Sequence, residues 1–242
     1  MIELGNDIVN HQELSRAHWK PNSLKYRDAP PSTSWKSTAR RLLRFGQQHR
    51  NSRTNAPTSD EPAFHNEEHH RVYGAPWCLG RDQYNHLIQS GLPKDGKVLD
   101  FGCGSLRLGI WLIPYLNHEC YYGIDAHYPS LDAAENYEIP LHGLQSRKPR
   151  LLLSADCEIH QFNTKFDTVV AMSVFHHMTD EQQNRAVTNI VTHSTENLVI
   201  HAVGFTMHDS DLAKHGLKRL TRTPVRCSLS GATLDWQTIT KH

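Results

Sequence analysis

The sequence has no long apolar run, no paired cysteine motif, no net charge of consequence and few aromatic residues, and each shortage excludes a class. No stretch of its 242 residues approaches the ~20 apolar residues that cross a bilayer. The start, MIELGNDIVNHQEL, carries acids early and lacks a cationic lead followed by an apolar block, so it does not read as a signal peptide and implies a cytoplasmic protein. Five cysteines, Cys78, Cys103, Cys120, Cys157 and Cys227, form no C-x-x-C pair, against a zinc ribbon or a disulfide framework. A formal charge of +1 gives no global pull on nucleic acid. Aromatics are only 8% and hydrophobic residues 38%, the profile of a soluble chain with one or two modest cores. What is abundant is histidine, with eighteen copies; this makes the charge pH-sensitive near the imidazole pKa of about 6.5 but names no activity.

The first seventy residues differ from the rest. DAPPSTS and RNSRTNAPTSDEPA have the composition of a loosely draped segment, so residues 1–72 are expected to form an irregular or partly helical extension. Within it Lys36–Arg53 holds six Lys or Arg and no acid, with Leu42, Leu43 and Phe45 as a small apolar cluster, a pattern for a short basic helix. His65, Glu67, Glu68, His69 and His70 sit together in polar linker sequence and read as solvated, so no metal site is expected there.

From Tyr73 to His242 helix and strand signals alternate. Helices are expected at Asp82–Gln89, Leu106–Leu116, Leu131–Ile139, Asp180–Thr192 and Asp209–His215. Strands are expected at Lys97–Phe101, Glu119–Asp125, Leu151–Ala155, Phe166–Met172 and Asn197–Val203, with Leu217–Arg226 and Thr233–Thr240 as a final antiparallel pair around Ser230-Gly231. This succession implies an α/β domain with a parallel sheet covered on both faces.

The chemistry concentrates in VLDFGCGSLRLG, Val98 to Gly109. Gly102 and Gly104 let the backbone turn sharply and approach a ligand. The expected helix start beyond them favours an anionic group, and Asp100 offers a carboxylate to a cationic amine. A dinucleotide site competes, but Arg107 stands where the third glycine of G-x-G-x-x-G belongs. Asp125 ends the next strand, 21 residues after Gly104, placed for ribose hydroxyls. Asp156 ends the third strand, where an acid meets an adenine amine, and Ser173 follows the fourth.

These segments, taken in order, resemble the class I S-adenosylmethionine-dependent methyltransferase family: VLDFGCGSLRLG its motif I, YYGIDAH its acidic loop, SADCE the loop after the third strand and FDTVVAMSVFHHM the segment at the fourth. The resemblance implies a Rossmann-like seven-stranded, mostly parallel sheet with an antiparallel last strand, and S-adenosyl-L-methionine as cofactor. It implies that Asp100, Phe101, Gly102, Cys103 and Gly104 face the methionine end, Asp125 and Ala126 the ribose, and Asp156 and Cys157 the adenine, with Ser173 at the cofactor's other edge. The lead-in APWCLGRDQYNHLIQSGLP resembles methyltransferases found with sugar and natural-product genes, with Trp77, Arg81 and Tyr84 as residues that could close over the methionine part or the acceptor.

His176 and His177 follow the fourth strand and are the candidate bases, since an imidazole titrates near working pH; His201 and the His208–Asp209 pair come second. Ala171-Met172-Ser173 departs from the magnesium-binding pattern of catechol-type enzymes, so no metal is expected. The expected activity is O-methylation of a small molecule, a sugar or secondary metabolite. A protein or peptide acceptor is the alternative. A nucleic-acid acceptor ranks lower because the N/D-P-P-Y/F signature is missing, and a non-catalytic cofactor-binding module ranks last.

Overall fold

The computed structural model describes residues 79–226 and 233–242. The basic stretch Lys36–Arg53, the His65–His70 run, Trp77 and the Ser230-Gly231 turn lie outside the described residues.

Seven strands form one sheet: β1 Val98–Phe101, β2 Tyr121–Asp125, β3 Arg150–Leu153, β4 Phe166–Met172, β5 Ser194–Val203, β6 Leu217–Arg226 and β7 Thr233–Lys241. Their order is β3-β2-β1-β4-β5-β7-β6, and β7 runs opposite to the other six strands. The central strands are buried on both faces, which is why VLDF and FDTVVAM read as nearly continuous apolar runs. β6 is the exposed edge. A bulge between Arg219 and Thr221 leaves Leu220 53% exposed, and Pro224 removes one amide donor, features that discourage pairing with a further strand.

Helices α1 (Arg81–Gln89), α2 (Gly109–Tyr115) and α3 (Tyr128–Ala133, continued by a wide turn over Ala134–Glu138 and by Ile139–Leu141) cover one face. Leu87, Ile110, Leu112, Ile113 and Leu131 pack there on Val98, Val170 and Val203. Helices α4 (Asp180–Thr192) and α5 (Asp209–Lys214) cover the other. Ala186, Val187 and Ile190 recur at helical spacing along α4 and meet Leu99, Val169 and Ile200. Thr179 starts α4 with a capping box, its Oγ1 accepting from the Gln182 amide while Gln182 accepts from the Thr179 amide. Phe175 and Phe205 meet edge to face at 4.4 Å in this second core, where burying each ring contributes about 1.5–3 kcal/mol.

Two expected helices are corrected. The helix expected at Leu106–Leu116 starts at Gly109, because Leu106 is left-handed (φ 65°) and its amide closes a tight turn onto Cys103 O. The helix expected at Leu131–Ile139 runs from Tyr128 to Leu141 and is interrupted by the wide turn. Strand β2 begins at Tyr121 rather than Glu119, since Glu119 also has a positive φ of 61°. β3 spans Arg150–Leu153 rather than Leu151–Ala155, and β5 begins three residues before Asn197, at Ser194.

Candidate functional site

The carboxyl ends of β1, β2 and β4 converge on the glycine loop. Gly102 has φ 78°, and a Cβ there would overlap the Val174 side chain, so the loop after β4 seats directly against this glycine. Its amide and that of Cys103 both donate to Ile124 O, at 2.8 and 3.1 Å, tying the loop to β2. Gly104 also has a positive φ, 54°, but a Cβ on it would meet nothing within 4 Å: this glycine faces open space. Cys103 is buried and fills the room left by Gly123. Because α2 starts at Gly109, the backbone that would face a ligand at residues 102–105 is a loop, and the helix-start amides expected there belong to α2 further on.

Asp100 is 2% exposed and accepts a hydrogen bond from Tyr121 Oη at 2.8 Å. Burial pushes its carboxyl up to about 7; the nearby Asp125 charge adds to this, while the Tyr121 bond and the Arg107 guanidinium oppose it. Gly109 makes room for the Tyr121 hydroxyl, which a Cβ there would approach to 2.6 Å. Tyr121 was not singled out in the sequence; its signal is a polar-tipped aromatic on the same sheet face as Asp100, on the adjacent strand.

Asp125 is half-buried at the end of β2. Its Oδ2 accepts from the Gly104 amide and its Oδ1 from the His127 amide, both at 2.8 Å. Burial raises its pKa, and those two amides hold it back. Ala126 beside it is exposed. His127 Nδ1 lies 2.8 Å from Ser130 Oγ in the first turn of α3.

After β3, Ser154 donates its amide to Asp125 O, and Ser154 Oγ accepts from the Glu158 amide. Asp156 points outward, with its side chain 71% exposed and 3.4 Å from Arg185 of α4. Cys157 is buried in a left-handed conformation, φ 58°, its thiol pushed up to about 11 chiefly by burial, and Asn189 donates to its carbonyl. After β4, Ser173 is left-handed and donates its amide to Val203 O at 2.9 Å. The exposed rings of His176 and His177 lie 3.9 Å apart. Gly204 gives His176 its place: a Cβ there would come 2.7 Å from His176 Nδ1. Partial burial, and then the second imidazole, lower the pKa of His176.

The expected residues Asp100, Phe101, Gly102, Cys103, Gly104, Asp125, Ala126, Ser173, His176 and His177 thus share one edge of the sheet. Others stand apart. Arg81 is exposed on the first residue of α1, and Tyr84 is spent on packing against Trp111 and Tyr115. His201 lies inside β5 rather than at its end, buried under α1, with a pKa pulled down to about 4 mainly by burial. His208 precedes α5, and Asp209 is engaged by Arg219 at 2.6 Å. Among the described residues no three metal-ligating side chains converge, and no helix is long and apolar enough to cross a membrane.

Residues 99–197 match a family model described as a methyltransferase domain. No curated protein matches the sequence. Among solved structures, a glycopeptide N-methyltransferase complexed with S-adenosyl-L-methionine superposes with a TM-score of 0.56 at 12% identity, covering 69% of this chain and 96% of that one. A magnesium protoporphyrin IX methyltransferase from Synechocystis with bound S-adenosylmethionine gives 0.54 at 15% identity, covering 98% and 100%. A ribosomal protein L11 methylase from Lactobacillus delbrueckii gives 0.50 at 18%, covering 65% and 76%.

Proposed function

We propose that this chain, which carries a class I S-adenosylmethionine-dependent methyltransferase domain with the Rossmann-like sheet of that family, methylates a hydroxyl oxygen of a small molecule. The observation that carries the reading is the Gly104–Asp125 junction. A glycine facing open space donates its amide to a carboxylate that ends the next strand, at the carboxyl edge where ligands of open α/β sheets bind. The donor set fits the cofactor. Asp100 is a buried carboxylate suited to an α-ammonium, Asp125 keeps lone pairs for ribose hydroxyls, and the backbone of 102–105 allows close approach.

S-adenosylmethionine supplies an electrophilic methyl carbon held by a sulfonium. The chain's own residues orient and exclude water: Val174 braces Gly102, and Ser173 is fixed to Val203. An acceptor hydroxyl must lose its proton as its oxygen forms the new O–C bond and the S–C bond breaks. His177, beside His176 at the end of β4, takes that proton on its imidazole. Asp156 and Cys157 border the adenine end in this reading, with Asp156 turning inward from Arg185, and Arg81 flanks the methionine end from α1. A peptide acceptor is the second reading, favoured by one structural neighbour being a ribosomal protein methylase.

The test is a transfer assay with methyl-labelled S-adenosylmethionine against parallel panels of sugars, phenols and short peptides. Label on a sugar or phenol supports the reading. Label on peptides alone replaces it with the second.

A further inference from the structure

Asp100 and Tyr121 lie on one face of the sheet, on adjacent strands. In the parallel register of β1 and β2, Asp100 stands beside Gly123 and Tyr121 beside Val98, so the two side chains are diagonal neighbours. The Tyr121 hydroxyl donates to Asp100 Oδ2 at 2.8 Å, and both residues are 2% exposed. That hydroxyl also lies against the start of α2, where a Cβ on Gly109 would come within 2.6 Å of it. A phenylalanine would fill the same apolar core, so the phenol oxygen is present for the carboxylate.

The other charged and titratable groups facing Asp100 come from the loop after β1 and from the end of β2. Arg107 attracts the ionised form, and Asp125 repels it. The Cys103 thiol is pushed well above its ordinary 9.0 by burial and stays neutral. From β4 the neighbour in register is Val170, which carries no charge. The Tyr121 hydrogen bond is the largest of the effects that favour an ionised Asp100. Burial and the nearby carboxylate push the Tyr121 phenol well above its ordinary 10, so it acts only as a neutral donor.

We propose that Tyr121 is a positioning residue for the methionine end of the cofactor: its hydroxyl holds one oxygen of the Asp100 carboxylate and leaves the other for the α-ammonium. Tyr121 itself touches no ligand and acts through Asp100. This inference rests on the methyl-transfer reading, in which Asp100 takes that ammonium. It makes the site favour a nucleoside with an amino-acid tail over the same nucleoside without one. Without the hydroxyl, Asp100 gives up its proton less readily, so ammonium binding weakens most where the carboxyl is partly protonated. Well above that range Asp100 is ionised with or without the hydroxyl, and the loss shrinks.

The experiment uses the full chain and calorimetric titration of wild type and Tyr121→Phe at pH 6.5 and 8.5. The ligands are S-adenosylhomocysteine and methylthioadenosine, which shares the nucleoside but has no amino-acid tail. Tyr121→Phe is expected to weaken S-adenosylhomocysteine about fivefold or more at pH 6.5 and within about twofold at pH 8.5. Methylthioadenosine affinity should stay within about twofold at both pH values. A cavity or a distorted loop would instead weaken both ligands at both pH values. Gly109→Ala, which crowds the same hydroxyl from α2, should show the same pH-dependent loss, and decides the matter if Tyr121→Phe does not fold. Equal losses at the two pH values, an equal loss for methylthioadenosine, or unchanged affinity at pH 6.5 overturns the assignment. Failure of S-adenosylhomocysteine to bind the wild-type chain at either pH overturns the methyl-transfer reading instead.

Discussion

The Gly104 amide donates to the Asp125 carboxylate at 2.8 Å, so the glycine that faces open space and the acid on the neighbouring strand hold each other in place. The second carboxylate oxygen is held by the His127 amide, which leaves Asp125 oriented before any ligand arrives. A ribose would meet a prearranged acceptor rather than one that must be ordered on binding, which is how preorganisation adds affinity.

Asp125→Ala removes both roles. S-adenosylhomocysteine affinity is expected to fall by about 1–3 kcal/mol, the range for charge-assisted hydrogen bonds. Calorimetry on the folded variant checks this, and wild-type affinity would remove Asp125 from the cofactor site.

With Asp100 holding the cofactor's ammonium as proposed, its raised carboxyl should make binding pH-dependent. Its folded value of about 7 lies above the ordinary 3.8, so between those values the folded chain holds a proton that the unfolded chain releases. This group's contribution to stability therefore falls as pH rises through that window. An ammonium bound beside Asp100 favours the ionised form, so at pH 6.5 binding should release a proton and affinity should rise until about pH 7. Titration in buffers of differing ionisation enthalpy measures the release. Proton uptake, or affinity that falls over this range, would contradict the pairing.

The two loop glycines should respond differently to a methyl group. Gly102→Ala must push against Val174 with a positive φ and is expected to lose about 1–3 kcal/mol of stability. Gly104→Ala carries only the left-handed backbone cost, about 1–2 kcal/mol, since its Cβ enters open space. In the proposed reading the cofactor occupies that space, so Gly104→Ala should lose more affinity than Gly102→Ala at comparable folding. Urea unfolding paired with calorimetry separates the two effects.

The histidine pair divides by position. His177→Ala should lower kcat by about 10²–10⁴, the usual worth of a general base. His176, whose ring seats on Gly204, should tolerate Ala within tenfold. Equal small losses in both would leave the proton to another group.

Much of this was readable in the sequence because it depends on local chemistry. Continuous apolar strands, Thr179 with Gln182 at the start of α4 and two glycines after Asp100 each imprint a short pattern. Leu106 escaped because nothing in SLRLG announces a left-handed leucine; the turn is imposed by its bond to Cys103 and by the packing of its buried side chain. Asp156 was legible as a strand-end acid, but its outward pairing depends on Arg185, a partner brought close only by α4. His201 read as a strand-end base because the alignment of β5 with β7, which buries it beneath α1, is a long-range property.

The most direct test of the central claim is calorimetric titration of the purified chain with S-adenosylmethionine and, separately, with NADH. The account predicts micromolar binding of the first and none of the second. Binding of NADH alone would show that the glycine loop and Asp125 serve a dinucleotide, and would contradict the methyltransferase account at its base.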